Sequence, residues 1–261
     1  MSKAKKLSEY DIVDCEPYPD KKTRKKIRKV SGGKLKPAKE KFFEHEKKHN
    51  INFTPKTANQ KIAWQYFQEK PIVVLTGSAG VGKTMIATAF AVKEMVKGNY
   101  DRLIITRNAI GCGKSLGFFP GSIEEKLGSW LQQVISFCKQ FVGNATVDIW
   151  MRGESPKIIM EPLEVVRGRS YINSIILVEE AQQLSIEELK CLVTRIGEGS
   201  LMILTGDPKQ SDIKVDGLER FCDMVERRGI DGVGIVRFTP DDILRHDIVR
   251  ELILAFQSEG L

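Results

Sequence analysis

The stretch Ile72-Val73-Val74-Leu75-Thr76-Gly77-Ser78-Ala79-Gly80-Val81-Gly82-Lys83-Thr84 decides the fold. Its first five residues form a short β-branched run of the kind seen in strands buried on both faces. The apolar spacing of Met85, Ile86, Ala89 and Phe90 then predicts a helix. Between them stands G-x-x-x-x-G-K-[ST], a Walker A pattern in the strand, loop, helix setting that a phosphate-cradling loop requires. Glycines let such a loop wrap until successive backbone N–H groups face phosphate, and the helix N-terminus adds a favourable dipole. Gly77, Ser78, Ala79, Gly80, Val81, Gly82, Lys83 and Thr84 are therefore the candidate nucleotide-binding residues. Lys83 would neutralise the β and γ phosphates, and the Thr84 hydroxyl would ligate Mg²⁺.

Outward from this loop, short apolar runs alternate with helical patterns, which predicts an α/β fold with a parallel sheet covered by helices on both faces. Strands are expected at 72–76, 102–106, 174–179, 201–205 and 234–238. Ile123, Leu127, Leu131, Val134, Cys138 and Phe141 recur at helical spacing, with Ser122-x-x-Glu125 as a capping box. Ser185-x-x-Glu188 offers the same device to the helix after the 174–179 strand.

That strand closes on Val178-Glu179-Glu180-Ala181-Gln182. Two carboxylates thus fall at the carboxyl end of a buried strand, where open α/β sheets place their ligands. Glu179 can hold Mg²⁺ through its waters, and Glu180 can orient and polarise the attacking water.

Composition limits the remaining possibilities. The 261 residues, 41% of them hydrophobic, suffice for one substantial core. No apolar run approaches bilayer length, so no membrane partner is expected, and the basic N-terminus is followed by no apolar signal block. A cytoplasmic location is the expectation. The five cysteines show no C-x-x-C spacing and read as reduced, small hydrophobes, while His45 and His49 read as one solvated face.

Charge is uneven along the chain. Residues 1–50 carry 16 Lys+Arg against 8 Asp+Glu, and the other 211 carry 25 against 26. Residues 1–50 are therefore expected to form a basic, flexible arm, and 51–261 the folded domain. The arm reads either as a solvating tail or as a counterion-releasing tether for a phosphate backbone.

Together, the loop, the Glu179-Glu180-Ala181-Gln182 strand end and Leu204-Thr205-Gly206-Asp207-Pro208-Lys209-Gln210 resemble the PhoH family of ATPases, whose core is similar to that of superfamily 1 helicases. Thr57-Ala58-Asn59-Gln60, Ile105-Thr106-Arg107, Lys114-Ser115-Leu116-Gly117-Phe118-Phe119-Pro120-Gly121, Arg167-Gly168-Arg169 and Asp242-Ile243-Leu244-Arg245-His246 extend the resemblance over residues 54–256. It implies a P-loop NTPase with a RecA/helicase-like sheet that uses ATP and Mg²⁺. Gln60 would read the adenine edge, Gln210 would sense the γ-phosphate, and Arg245 would act as an arginine finger or sensor. Arg107 and Arg169 would touch phosphate or nucleic acid, and each of the three arginines also reads as a surface ion pair. The resemblance further implies a homo-oligomer, up to a hexameric ring, and its compact forms are commonly phage-encoded.

Two departures stand out. The family usually has Asp then Glu where this chain has Glu179 then Glu180, and the extra methylene brings the first carboxylate toward the metal. Arg107-Asn108-Ala109 and Gly111-Cys112-Gly113-Lys114 also differ from the family's usual Arg-Pro-Ala and Ala-Gly-Glu-Lys. With no chain expected beyond this domain for a separate nuclease module, the leading expectation is an ATPase acting on single-stranded nucleic acid, RNA favoured over DNA. A nucleotide-dependent ribonuclease and a nucleotide-gated assembly protein with weak hydrolysis are the alternatives.

Overall fold

The computed structural model describes residues 51–108, 128, 131–213, 217–244 and 247–259. The expected arm at 1–50, the capping box at 122–125 and Arg245 lie outside the described residues. Among the described residues, six strands form one parallel sheet: β1 (Ile72–Thr76), β2 (Arg102–Arg107), β3 (Ile158–Met160), β4 (Ser174–Glu179), β5 (Leu201–Gly206) and β6 (Val233–Arg237). Their spatial order is β3-β2-β4-β5-β1-β6.

Strand alternation sorts the core into two layers, because successive side chains point to opposite faces. On one face Val73, Leu75, Leu103, Ile105, Ile175, Leu177, Leu201 and Ile203 pack against α1 (Ala58–Glu69), α2 (Lys83–Lys97), α3 (Gln132–Val142) and α4 (Asn144–Trp150). On the other, Val74, Ile104, Ile176, Val178, Met202 and Leu204 meet α5 (Leu163–Val166), α6 (Ile186–Val193) and α7 (Gly217–Arg228). A last helix, α8 (Asp247–Ser258), follows β6. Each fully buried Leu, Ile or Phe in these layers contributes about 1.5–3 kcal/mol relative to exposure.

The expected strands are all present, with small differences at the ends. The last is Val233–Arg237 rather than 234–238, although the Phe238 N–H still donates to the Thr76 carbonyl at 2.7 Å. The Ser185 capping box is formed from both sides: Glu188 N donates to Ser185 Oγ at 3.2 Å, and Ser185 N to Glu188 Oε2 at 2.9 Å. Within α3, Val134 and Cys138 are buried as the periodicity requires. Strand β3 is not among the expected strands, since it is three residues long at the sheet edge and buries only Ile158 fully.

Candidate nucleotide site

The loop after β1 begins at Gly77, whose φ of +138° favours glycine. Space makes the same demand: a Cβ there would sit 2.7 Å from the Phe238 carbonyl oxygen. At the other end Gly82, with φ of +88°, caps α2, and its carbonyl receives the helix's first bond from Ile86 N at 2.9 Å. The free N–H groups of that first turn open toward the carboxyl ends of β1, β4 and β5.

There a cleft of ≈ 320 Å³ is lined by residues 79–85 of the loop and helix and by Glu179, Glu180, Thr205, Gly206, Asp207 and Gln210. Gln133 and Phe137, four apart on α3, and Leu244 complete its wall. The register explains the convergence. Thr76 pairs with Gly206 across β1 and β5, and Val178 pairs with Leu204 across β4 and β5, so the three strands end level with one another.

Lys83 folds back on the loop, its Nζ donating to the Gly77 carbonyl at 2.5 Å and the Ser78 carbonyl at 3.0 Å. Burial holds its ammonium below the ordinary lysine range, against the opposing pull of the Asp207, Glu179 and Glu180 carboxylates. A phosphate entering the cleft would supply the negative charge that this buried cation lacks.

The Thr84 hydroxyl donates to Glu179 Oε2 at 2.8 Å. Burial pushes the Glu179 carboxyl up to about 7, opposed by the Thr84 and Thr205 hydroxyls and the Lys83 charge, and reinforced by Glu180. Its second oxygen, Oε1, is buried without a hydrogen-bond partner among the described residues, as is Ser78 Oγ. A buried, unsatisfied carboxylate oxygen beside a hydroxyl is a hard-oxygen pair of the kind Mg²⁺ takes, so Thr84 and Glu179 fit that ion.

Glu180 stands in the left-handed region at φ +54°. Its Oε2 accepts from Gln182 Nε2 at 2.6 Å. Gln210 Nε2 donates to Asp207 Oδ2 at 2.9 Å, and the buried Asp207 caps its own turn by accepting from Lys209 N at 3.2 Å.

Gln60 is placed differently from the loop residues. It is fully buried behind the loop and absent from the cleft wall, with Oε1 accepting from Lys56 N at 2.9 Å and Nε2 donating to the Val81 carbonyl at 3.4 Å. An adenine contact would require that amide to leave Val81. The rest of its tetrapeptide caps α1 and ties it to the turn after β6: Thr57 Oγ1 accepts from Gln60 N at 3.2 Å, and Asn59 Nδ2 donates to Asp242 Oδ2 at 2.7 Å.

Among the arginines, Arg169 pairs with Glu161 at 2.5 Å, a carboxylate that also accepts from the Tyr171 hydroxyl at 2.5 Å. Arg107 ends β2 in register with Glu179. Asn108, just beyond, is buried and donates to the Gln183 carbonyl at 3.1 Å.

Asp207 and Gln182 stand inside motifs that the sequence reading quotes but are given no role there, whereas Gln133 and Phe137 of the cleft wall are not singled out at all. Gln133 and Phe137 reach the cleft only because α3 packs on α2.

A glycine-rich loop between β1 and α2, a Thr–carboxylate pair and a polar turn after β5 define a P-loop nucleotide-binding domain of the α/β class. Residues 52–257 match the family model described as PhoH-like protein, and the chain belongs to that family. It is 32% identical to the PhoH-like protein of Synechocystis sp. over 206 residues, covering 77% of this chain and 61% of that relative. It is also 32% identical to Protein PhoH of Escherichia coli K12 over 190 residues, covering 72% and 54%. A PhoH-like protein of Mycobacterium tuberculosis is 34% identical over 205 residues, covering 77% and 57%. The chain thus spans a little over half the length of these relatives. Among solved structures, the large terminase of a thermophilic bacteriophage aligns with a TM-score of 0.49 at 12% identity, covering 74% of this chain and 48% of that one.

Proposed function

We propose that this protein binds ATP with Mg²⁺ and hydrolyses it, in a cycle coupled to single-stranded nucleic acid, with RNA favoured over DNA. The observation that carries the reading is the meeting of Lys83, Thr84, Glu179, Glu180 and Gln210 on one cleft at the strand ends. Mg²⁺ held by Thr84 and Glu179 would neutralise charge developing on the phosphates. The loop N–H groups and Lys83 bind and orient the β and γ phosphates. Glu180 orients the attacking water, and Gln210, on the wall of the same cleft, would register loss of the terminal phosphate. Preorganised donors of this kind commonly supply the largest share of such a rate enhancement.

Steady-state hydrolysis by the full chain with Mg²⁺, with and without single-stranded RNA or DNA, tests the reading against Lys83→Ala. RNA stimulation that Lys83→Ala removes supports it, and turnover unchanged by Lys83→Ala refutes it. A second reading, a nucleotide-gated assembly protein with weak hydrolysis, is favoured by the direct contact between Glu179 and Thr84 where a shorter acid would stand back. It expects nucleotide and RNA affinity without stimulation. In either reading a homo-oligomer would let Arg245 act on a neighbouring copy's nucleotide. A ribonuclease would instead shorten the RNA in the same assay. Among the described residues, no group of three or more His, Cys, Asp or Glu is placed to hold a metal ion. Nor is any helix there long and apolar enough to cross a membrane.

A further inference from the structure

Between β4 and β5 a single buried side chain joins the two acidic strand ends. Gln182 is 1% exposed, and both ends of its amide are used. Nε2 donates to Glu180 Oε2 at 2.6 Å, and Oε1 accepts from Asp207 N at 3.1 Å. This orientation is dictated by its partners, because a carboxylate only accepts and a backbone N–H only donates. The Ser211 hydroxyl donates to the Gln182 carbonyl at 3.1 Å, closing the bridge from the far side of the Asp207 turn.

Two further features show that the seat is built for this amide. Gly206 faces it without a side chain: a Cβ there would lie 2.9 Å from Gln182 Oε1 and 2.6 Å from Leu218 Cδ2. Glu180 holds a left-handed backbone, which a non-glycine residue keeps only where its surroundings over-determine it. The Gln182 contact and the 3.0 Å bond from Gln183 N to the Glu180 carbonyl both act on that residue. Asp207, at the other end of the amide, fixes Gln210 through its carboxylate.

We propose that Gln182 is a positioning residue that aims the Glu180 carboxylate at the attacking water and ties that aim to the Asp207–Gln210 turn. The inference rests on the reading of Glu180 as the water-orienting acid. One oxygen of Glu180 is committed to the amide, which fixes the carboxylate's rotation, and a shift of the turn on phosphate release moves the same amide. The amide donates from Nε2 and accepts at Oε1 without carrying charge.

Two variants of the full chain test it, alongside Glu180→Gln and Lys83→Ala. The readouts are kcat and KM for ATP, affinity for a fluorescent ADP analogue, and the thermal midpoint. Gln182→Met keeps the volume and removes both hydrogen bonds. Its kcat is expected to fall by about 10- to 100-fold, the scale of a misplaced reacting group, with KM and ADP affinity within about threefold of the parent. Gln182→Glu still accepts from Asp207 N but sets a second carboxylate against Glu180, among the charges of Glu179, Asp207 and Lys83. Its kcat is expected to fall at least as far as that of Gln182→Met, because the amide's donor to Glu180 is replaced by an acceptor.

The proposal is overturned if Gln182→Met retains kcat within about twofold while Glu180→Gln is stalled. It is also overturned if kcat, ADP affinity and thermal midpoint fall together in Gln182→Met, since that pattern marks a merely structural role. If Glu180→Gln hydrolyses ATP normally while Lys83→Ala does not, the reading of Glu180 fails first and takes this inference with it.

Discussion

The Thr84 hydroxyl donates to Glu179 Oε2 at 2.8 Å, joining the first turn of α2 to the end of β4 across 95 residues of sequence. With β5 lying between β1 and β4 in the sheet, this bond joins two residues of the cleft lining, one following β1 and one ending β4, whose strands lie two places apart. It also leaves Glu179 Oε1 as the buried oxygen still needing a partner.

Shortening that acid should open the pair. Glu179→Asp withdraws the carboxylate from Thr84 by one methylene, sets there the residue that the family resemblance implies, and is expected to raise kcat about three- to fivefold, a barrier change of about 0.6–1 kcal/mol. Thr84→Val, which takes from the buried Glu179 Oε2 its 2.8 Å hydrogen bond, is expected to destabilise the ligand-free protein by about 1–3 kcal/mol and to abolish the Mg²⁺ dependence of nucleotide binding. Steady-state hydrolysis checks the first variant, and denaturant titration with nucleotide binding in the presence and absence of Mg²⁺ checks the second.

Asp242 makes stability sensitive to acid. Burial raises its carboxyl pKa, but hydrogen bonds from Thr57, from the backbone and hydroxyl of Thr239, and from Asn59 outweigh it, and the net position is below the ordinary aspartate value. A carboxylate lowered in the folded state contributes stability that is present above its unfolded pKa of about 4 and is lost as pH falls through the folded value. Asp242→Asn should therefore lower the thermal midpoint at pH 7, with the gap from the parent closing below about pH 4. A gap constant from pH 7 to pH 3 would show that the charge is not what matters.

Gly217 opens α7 pressed against a neighbouring backbone. A Cβ there would lie 2.2 Å from the Leu184 carbonyl oxygen and 2.6 Å from the Ser185 carbonyl carbon. Since backbone yields less readily than a side-chain tip, Gly217→Ala is expected to cost about 1–3 kcal/mol or more in an equilibrium unfolding experiment. A variant as stable as the parent would show that α7 can back away from that turn.

Deleting residues 2–49 should leave the nucleotide site folded while weakening binding to single-stranded RNA. With 16 Lys+Arg against 8 Asp+Glu in residues 1–50, the slope of log affinity against log salt should flatten by several units for a tether contacting several phosphates. An unchanged slope assigns those charges to solvation alone.

Much of the nucleotide site was legible because its parts are local. A glycine pattern, a lysine and a hydroxyl in eight consecutive residues need only a strand before and a helix after, and the apolar runs at Ile72–Thr76 and Ser174–Glu179 announce buried strands without any knowledge of their neighbours. The Ser185–Glu188 capping box is equally local, three residues apart and formed as read. Strand β3 escaped because three residues at a sheet edge carry no period, and only pairing with β2 makes them a strand.

The sequence by itself determined short buried strands alternating with helices, a glycine-rich loop between a strand and a helix, and a paired-acid strand end, since each of these signals lies within a few consecutive residues. Tertiary structure alone decided the rest. It put Gln60 behind the loop with its amide on Val81, gave Gln182 its distant partner Asp207 just after β5, and brought Gln133 and Phe137 to the cleft wall. The physical reason is that a side-chain amide binds whichever donor and acceptor packing sets beside it. For these residues those groups belong to segments that only the strand order β4-β5-β1 and the seating of α3 on α2 bring together.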